Sequence, residues 1–129
     1  MTTHTYPYSE DYWPPMPVVE VGLSKPGRNR IVKRLDAVVD SGADGTLIPV
    51  DMLEEVDARC VGDAQMRGIS GPTRRVDVYL ASLHIGSHMV HAVRVVAVPE
   101  GGEVVLGRNA LQHLIVTLNG PASVTEIAG

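Results

Sequence analysis

A chain of 129 residues has room for one domain with its own core and none for two lobes. Its formal net charge of -4, with 11 Lys and Arg against 15 Asp and Glu and no long basic run, leaves no electrostatic footprint for nucleic acid. No apolar run approaches the ~20 residues of a membrane-spanning helix, and Met1-Thr2-Thr3-His4-Thr5-Tyr6-Pro7 lacks the basic and apolar regions of a secretion signal. No membrane partner is therefore expected, and a cytoplasmic location is the default. A hydrophobic share of 44% with 13 Gly and 9 Pro predicts a folded, mainly β chain of short strands and many turns.

Residues 1–16 form a first segment, in which Tyr6, Tyr8, Tyr12 and Trp13 interleave with Pro7, Pro14 and Pro15. An extended, polyproline-like arm is expected, its rings covering an edge of the domain or lying near a cleft. Residues 17–129 form the domain proper. Val18 to Leu23 reads as a strand, Ser24 to Asn29 as a turn, and Arg30 to Val39 as the return strand. After a turn at Asp40 come a short strand from Thr46 to Val50 and one helical turn from Asp51 to Glu55, with Asp51 as its expected cap. Arg59 to Arg67 and Arg74 to Ala81 flank Gly68-Ile69-Ser70-Gly71-Pro72, which reads as the tip of a glycine-hinged hairpin. Strands from Tyr79 to Ile85 and His88 to Val98 meet at Gly86-Ser87. Gly107 to Gln112 fits a short helix, and Leu114 to Leu118 and Ser123 to Ile127 make a last pair of strands around Asn119-Gly120-Pro121. The single cysteine, Cys60, has no partner for an intrachain disulfide and is expected as a small buried hydrophobe.

The most informative segment is Val38-Val39-Asp40-Ser41-Gly42-Ala43-Asp44-Gly45-Thr46, echoed later by Val104-Val105-Leu106-Gly107-Arg108-Asn109-Ala110-Leu111. Asp-Ser-Gly alone is a common turn in which the Asp bonds nearby amides. Here it follows the apolar run Ala37-Val38-Val39, so the Asp40 carboxylate leaves the end of a core strand, and Gly42 lets the backbone approach another group closely. His84, His88 and His91 invite a metal reading, but Gly86-Ser87 separates them across a hairpin and no Cys or carboxylate completes a ligand set. No metal and no cofactor is expected. Protonating the five His would carry the net charge from -4 to +1, so mild acid alters the surface.

In order and rough spacing from Val38 to Leu118, the Asp-Ser-Gly turn, the Gly-Ile-Ser-Gly tip and Val-Leu-Gly-Arg-Asn-Ala-Leu resemble the retropepsin-like (retroviral-type) aspartic proteases. The resemblance implies a small closed β-barrel of the acid-protease type with one short C-terminal helix, a flap hairpin, and a homodimer about a twofold axis. It implies that Asp40 is catalytic, that Ser41 and Gly42 brace the dyad, and that Ala43, Asp44, Gly45, Gly68, Ile69, Ser70 and Gly71 line the substrate cleft. Asp44 and Arg108 would form an ion pair beside it. Ser41, where retroviral members carry Thr, lacks a methyl for packing, and Pro72 stiffens the flap.

Independently of the name, hydrolysis of a peptide by two carboxyls needs one as base towards water and the other as acid towards the carbonyl oxygen. This chain has one Asp-Ser-Gly, and a twofold axis supplies the second. The expectation is thus an aspartic endopeptidase whose partners are a second copy of itself and a peptide or protein substrate. Two alternatives remain open: a catalytically silent peptide-binding or dimerisation module, and an enzyme held in check by its N-terminal arm.

Overall fold

The computed structural model describes residues 2–67 and 71–128. Its centre is a hairpin of β2 (Val18–Ser24) and β3 (Lys33–Val39), paired antiparallel from Val18↔Val38 to Leu23↔Lys33. Strand period two sends Val19, Val21, Leu23, Leu35 and Ala37 into the core, and sends Arg34, Asp36 and Val38 the other way. The Pro26-Gly27 turn uses glycine at φ +80, and Val32 still donates to the Leu23 carbonyl at 2.8 Å although regular pairing begins only at Lys33.

The chain continues through β4 (Thr46–Pro49), α1 (Val50–Glu55), β5 (Arg59–Met66), β6 (Arg74–Ile85), β7 (His88–Val98), β8 (Val105–Leu106) and α2 (Arg108–Leu111). Seven strands lie in the order β2-β3-β8-β4-β7-β6-β5, and β6 turns back to pair with β2 at Gly22↔His84 to Ser24↔Ser82. The ring so formed closes unevenly: β2 meets β3 over six residue pairs and β6 over three, while β8 contributes only two residues. The long strands β6 and β7 bury Ala81, Leu83, Ile85, Val90, Val93 and Val95, and α1 adds Leu53. Two pairings are parallel, β3 with β8 and β4 with β7. Among the described residues no helix is long and apolar enough to cross a membrane.

The first segment is in part a paired strand rather than a polyproline-like arm. Thr3–Pro7 is a strand, β1, paired antiparallel with β10 (Val124–Ala128), which pairs in turn with β9 (Ile115–Asn119). The alternation of His4 and Tyr6 towards Thr125 and Ile127 makes this a half-buried strand, a signal masked in the sequence by Pro7 and the aromatic run. Three further expectations change. Pro49, not Asp51, caps α1, and Asp51 sits in its first turn, where a carboxylate complements the helix dipole. Cys60 is exposed, because β5 lies at the sheet edge with only β6 beside it. The β5–β6 hairpin pairs up to Met66↔Arg74, but its tip residues Gly68, Ile69 and Ser70 lie outside the described residues, and Gly71 is exposed.

A part-buried polar clamp ties β2 to β6. The fully buried Ser24 hydroxyl donates to the Arg28 carbonyl at 2.9 Å, so at 2.8 Å from it His84 Nε2 must carry a proton and donate. Burial first, then the positive Arg34 and His91, push the His84 pKa below its ordinary 6.5. The unfolded chain therefore binds more protons at this position. The His84 contribution is full above pH 6.5 and is lost as pH falls through the lowered folded value. Thermal melting between about pH 7.5 and 5 should show a falling Tm, and His84→Gln, whose amide keeps the donor, should flatten that component of the slope.

Candidate active site

Asp40 continues the outward series Asp36, Val38 and Asp40, while Val39 packs with the core. Its backbone N–H donates to the Leu106 carbonyl at 3.1 Å, so the β3–β8 ladder extends to the residue itself. Its own carboxylate then closes the turn: Gly42 N–H donates to Asp40 Oδ1 at 2.9 Å, and Ala43 N–H donates to the Asp40 carbonyl at 3.2 Å. A Cβ at position 42 would stand 3.2 Å from that same oxygen, so a side chain there would push the carboxylate by a few tenths of an ångström. The Asp40 side chain is exposed.

The path of the chain explains the second motif. β3 and β8 run the same way, and β4 returns antiparallel on the far side of β8, with Leu47 opposite Val105. The connection from Asp40 to Gly45 must therefore cross the end of β8. It does so at a separation that excludes any side chain: a Cβ on Gly107 would lie 2.1 Å from the Gly45 carbonyl oxygen and 3.0 Å from that of Ala43. Arg108 N–H donates to the Ala43 carbonyl at 2.8 Å, and Asn109 N–H to the Asp44 carbonyl at 3.2 Å.

Beneath the crossing, the fully buried Thr46 hydroxyl donates to Asn109 Oδ1 at 2.8 Å and accepts from Gly107 N–H at 3.2 Å. Asn109 Nδ2 in turn reaches the Arg94 carbonyl of β7 at 2.8 Å. Each interior polar group in this chain of bonds has a partner, as burial requires. The coupling of Thr46 to Asn109 escapes a sequence reading, since they stand 63 residues apart, although the glycine directly after the apolar Val104-Val105-Leu106 is a visible sign of close backbone approach.

Asp44 and Arg108 do meet, though not in a two-pronged pair. One guanidinium nitrogen bonds Asp44 Oδ1 and another donates to the Ser41 carbonyl at 3.0 Å. With Asp44 93% exposed, the contact contributes little to stability in this chain and chiefly ties both ends of the 41–44 loop to α2. Ala43 and Gly45 lie half-buried on the loop, and Ser41 and Gly42 are exposed beside Asp40. The structure thus gathers Asp40, Ser41, Gly42, Ala43, Asp44, Gly45 and Arg108 around one turn. Among the described residues no three His, Cys, Asp or Glu side chains group as metal ligands.

Comparison with known proteins identifies the family and a similar fold. Residues 32–113 match the family model described as "gag-polyprotein putative aspartyl protease". The structure is similar to a retropepsin-like aspartic protease from Rickettsia conorii, with a TM-score of 0.65 at 9% identity over 98% of this chain and 89% of that one. No curated protein matches the sequence.

Replacing Thr46 by Val keeps the shape and removes the hydroxyl, orphaning Gly107 N–H and one oxygen of Asn109. Urea unfolding should show a loss of about 1–3 kcal/mol for each group left unpaired. Gly107→Ala should be worse and yield little folded protein by circular dichroism, because two backbone segments would have to part.

Proposed function

Because the chain belongs to the gag-polyprotein aspartyl protease family, we propose that it is an aspartic endopeptidase whose catalytic pair consists of Asp40 from two copies of the chain. The observation that carries this reading is an exposed carboxylate at the end of a core strand, held by its own turn and by the crossing over Gly107. A single carboxylate so placed has one face free for a partner. A twofold axis near Asp40 would bring its copy alongside.

Two such carboxyls close together do not both ionise, so they share one proton and titrate as a pair. The ionised member takes a proton from a water lying between them as that water attacks the peptide carbonyl, and the protonated member gives its proton to the carbonyl oxygen. Collapse of the tetrahedral intermediate returns a proton to the leaving nitrogen. The substrate is read as an extended peptide running beneath the β5–β6 hairpins, pairing through its backbone. Limited closure of those hairpins would exclude water.

Support for a second copy comes also from β9, an outer strand of the three-stranded sheet that leaves Ile115 and Leu118 each 55% exposed. Asp40 is exposed with residues 2–16 in place, which favours an accessible site over one held shut by the arm. A silent peptide-binding module would share the geometry and lack turnover.

Digestion of a peptide library should show cleavage on the acidic to mildly acidic side that rises faster than linearly with protein concentration. Asp40→Asn should abolish it, and persistence of cleavage in that variant would remove the proposal. Arg108→Ala, which frees Ser41 and Asp44 from α2, should lower activity and weaken self-association together in sedimentation.

A further inference from the structure

A second element meets the face that carries Asp40. Ser9 and Met16 exchange two backbone hydrogen bonds, at 2.8 and 3.0 Å, closing residues 9–16 into a small hairpin with Trp13 93% exposed. The hairpin has two anchors. Pro17, just beyond it, accepts the Val39 N–H at 3.0 Å, one residue before Asp40. The Tyr12 hydroxyl donates to the Glu103 carboxylate in the loop that precedes β8.

Between the anchors lies a cavity of about 250 Å³ whose lining includes Ser9, Asp11, Tyr12, Asp36, Val38 and Glu103. Strand alternation puts Asp36 and Val38 on the same face as Asp40, with Val38 roughly 7 Å from it along the strand. The cavity therefore lies on the face of β3 that carries Asp40, one strand repeat from it. Its volume is below the ~300–1,000 Å³ of a whole small-molecule site and fits one side chain of a longer ligand.

We propose that the 9–16 hairpin is a wall of the substrate cleft and that this cavity is a subsite for a basic side chain, Lys or Arg, of the bound peptide; the peptide itself rests on the protease reading. Val38 offers an apolar floor for the aliphatic stem, and Asp11, Asp36 and Glu103, which also line the cavity, offer carboxylates to the cationic head. No Lys or Arg lines the cavity to compete. Tyr12 is a positioning residue, because its hydroxyl fixes the hairpin to Glu103 without itself carrying charge to the ligand.

The only tryptophan in the chain is Trp13, so intrinsic fluorescence reports directly on this hairpin. Asp40→Asn protein is titrated with a set of decapeptides, each carrying Lys or Glu at one scanned position. At one register the Lys peptide should bind about tenfold tighter than its Glu counterpart, the factor contributed by one charge-assisted hydrogen bond. Glu103→Gln, which can still accept from Tyr12, should reduce that preference, and Tyr12→Phe should reduce it with a changed Trp13 spectrum. Equal binding of Lys and Glu peptides at every register, or a preference untouched by Glu103→Gln and Asp11→Asn, overturns the subsite. Digesting the same peptides with the unaltered protein separates this from the protease reading. Cleavage with no basic preference leaves the protease and removes the subsite, selective binding without cleavage does the reverse, and neither binding nor cleavage removes both.

Discussion

The crossing of the 40–45 loop over the end of β8 is the constraint on which the site depends. β3 and β8 are parallel neighbours, so the chain has to travel through β4, α1 and the strands β5–β7 before its second motif returns to the first. The two motifs then pack backbone on backbone, with the Gly45 carbonyl where a side chain of residue 107 would be. Glycine at 107, the N-cap of α2, leaves no side chain to pack, yet it alone allows the approach.

That contact is local, but it sets the aim of Asp40. The carboxylate is oriented by its own turn amide, the turn is held by backbone bonds to Leu106 and α2, and α2 is held by Asn109 to Thr46 and to the Arg94 carbonyl. Backbone donors and buried polar side chains position such a group more rigidly than the exposed Arg108 contact does, since a surface ion pair exchanges readily with water. Arg108 acts on the loop, through the Ser41 carbonyl, rather than on the fold.

Much of this is legible in the sequence where the signal is local. The strand ends at Leu23, Val39, Ile85 and Val98, the Gly86-Ser87 turn and the short helix after Gly107 all follow from alternation and turn residues, and the structure has them within a few positions. The readings that change are those decided by partners distant in sequence. Thr3–Pro7 is short and closes on a proline but lies against β10, which supplies both its hydrogen bonds and a covered face for His4 and Tyr6. Cys60 has apolar neighbours in sequence, yet its strand is at an edge. At the site, Asp40, Gly42, Asp44 and Arg108 stand out by pattern, whereas the Thr46–Asn109 bond and the Tyr12–Glu103 bond join residues 63 and 91 positions apart and leave no periodic trace.

The central claim is that one active unit needs a carboxylate from each of two copies. Mixing the unaltered protein with Asp40→Asn at constant total concentration, after exchange of subunits, tests it directly. Activity should fall as the square of the unaltered fraction, to about one quarter at an equal mixture, because only pairs with two carboxylates turn over. A linear fall, to about one half at the same mixture, would mean that each copy works alone and would contradict the account.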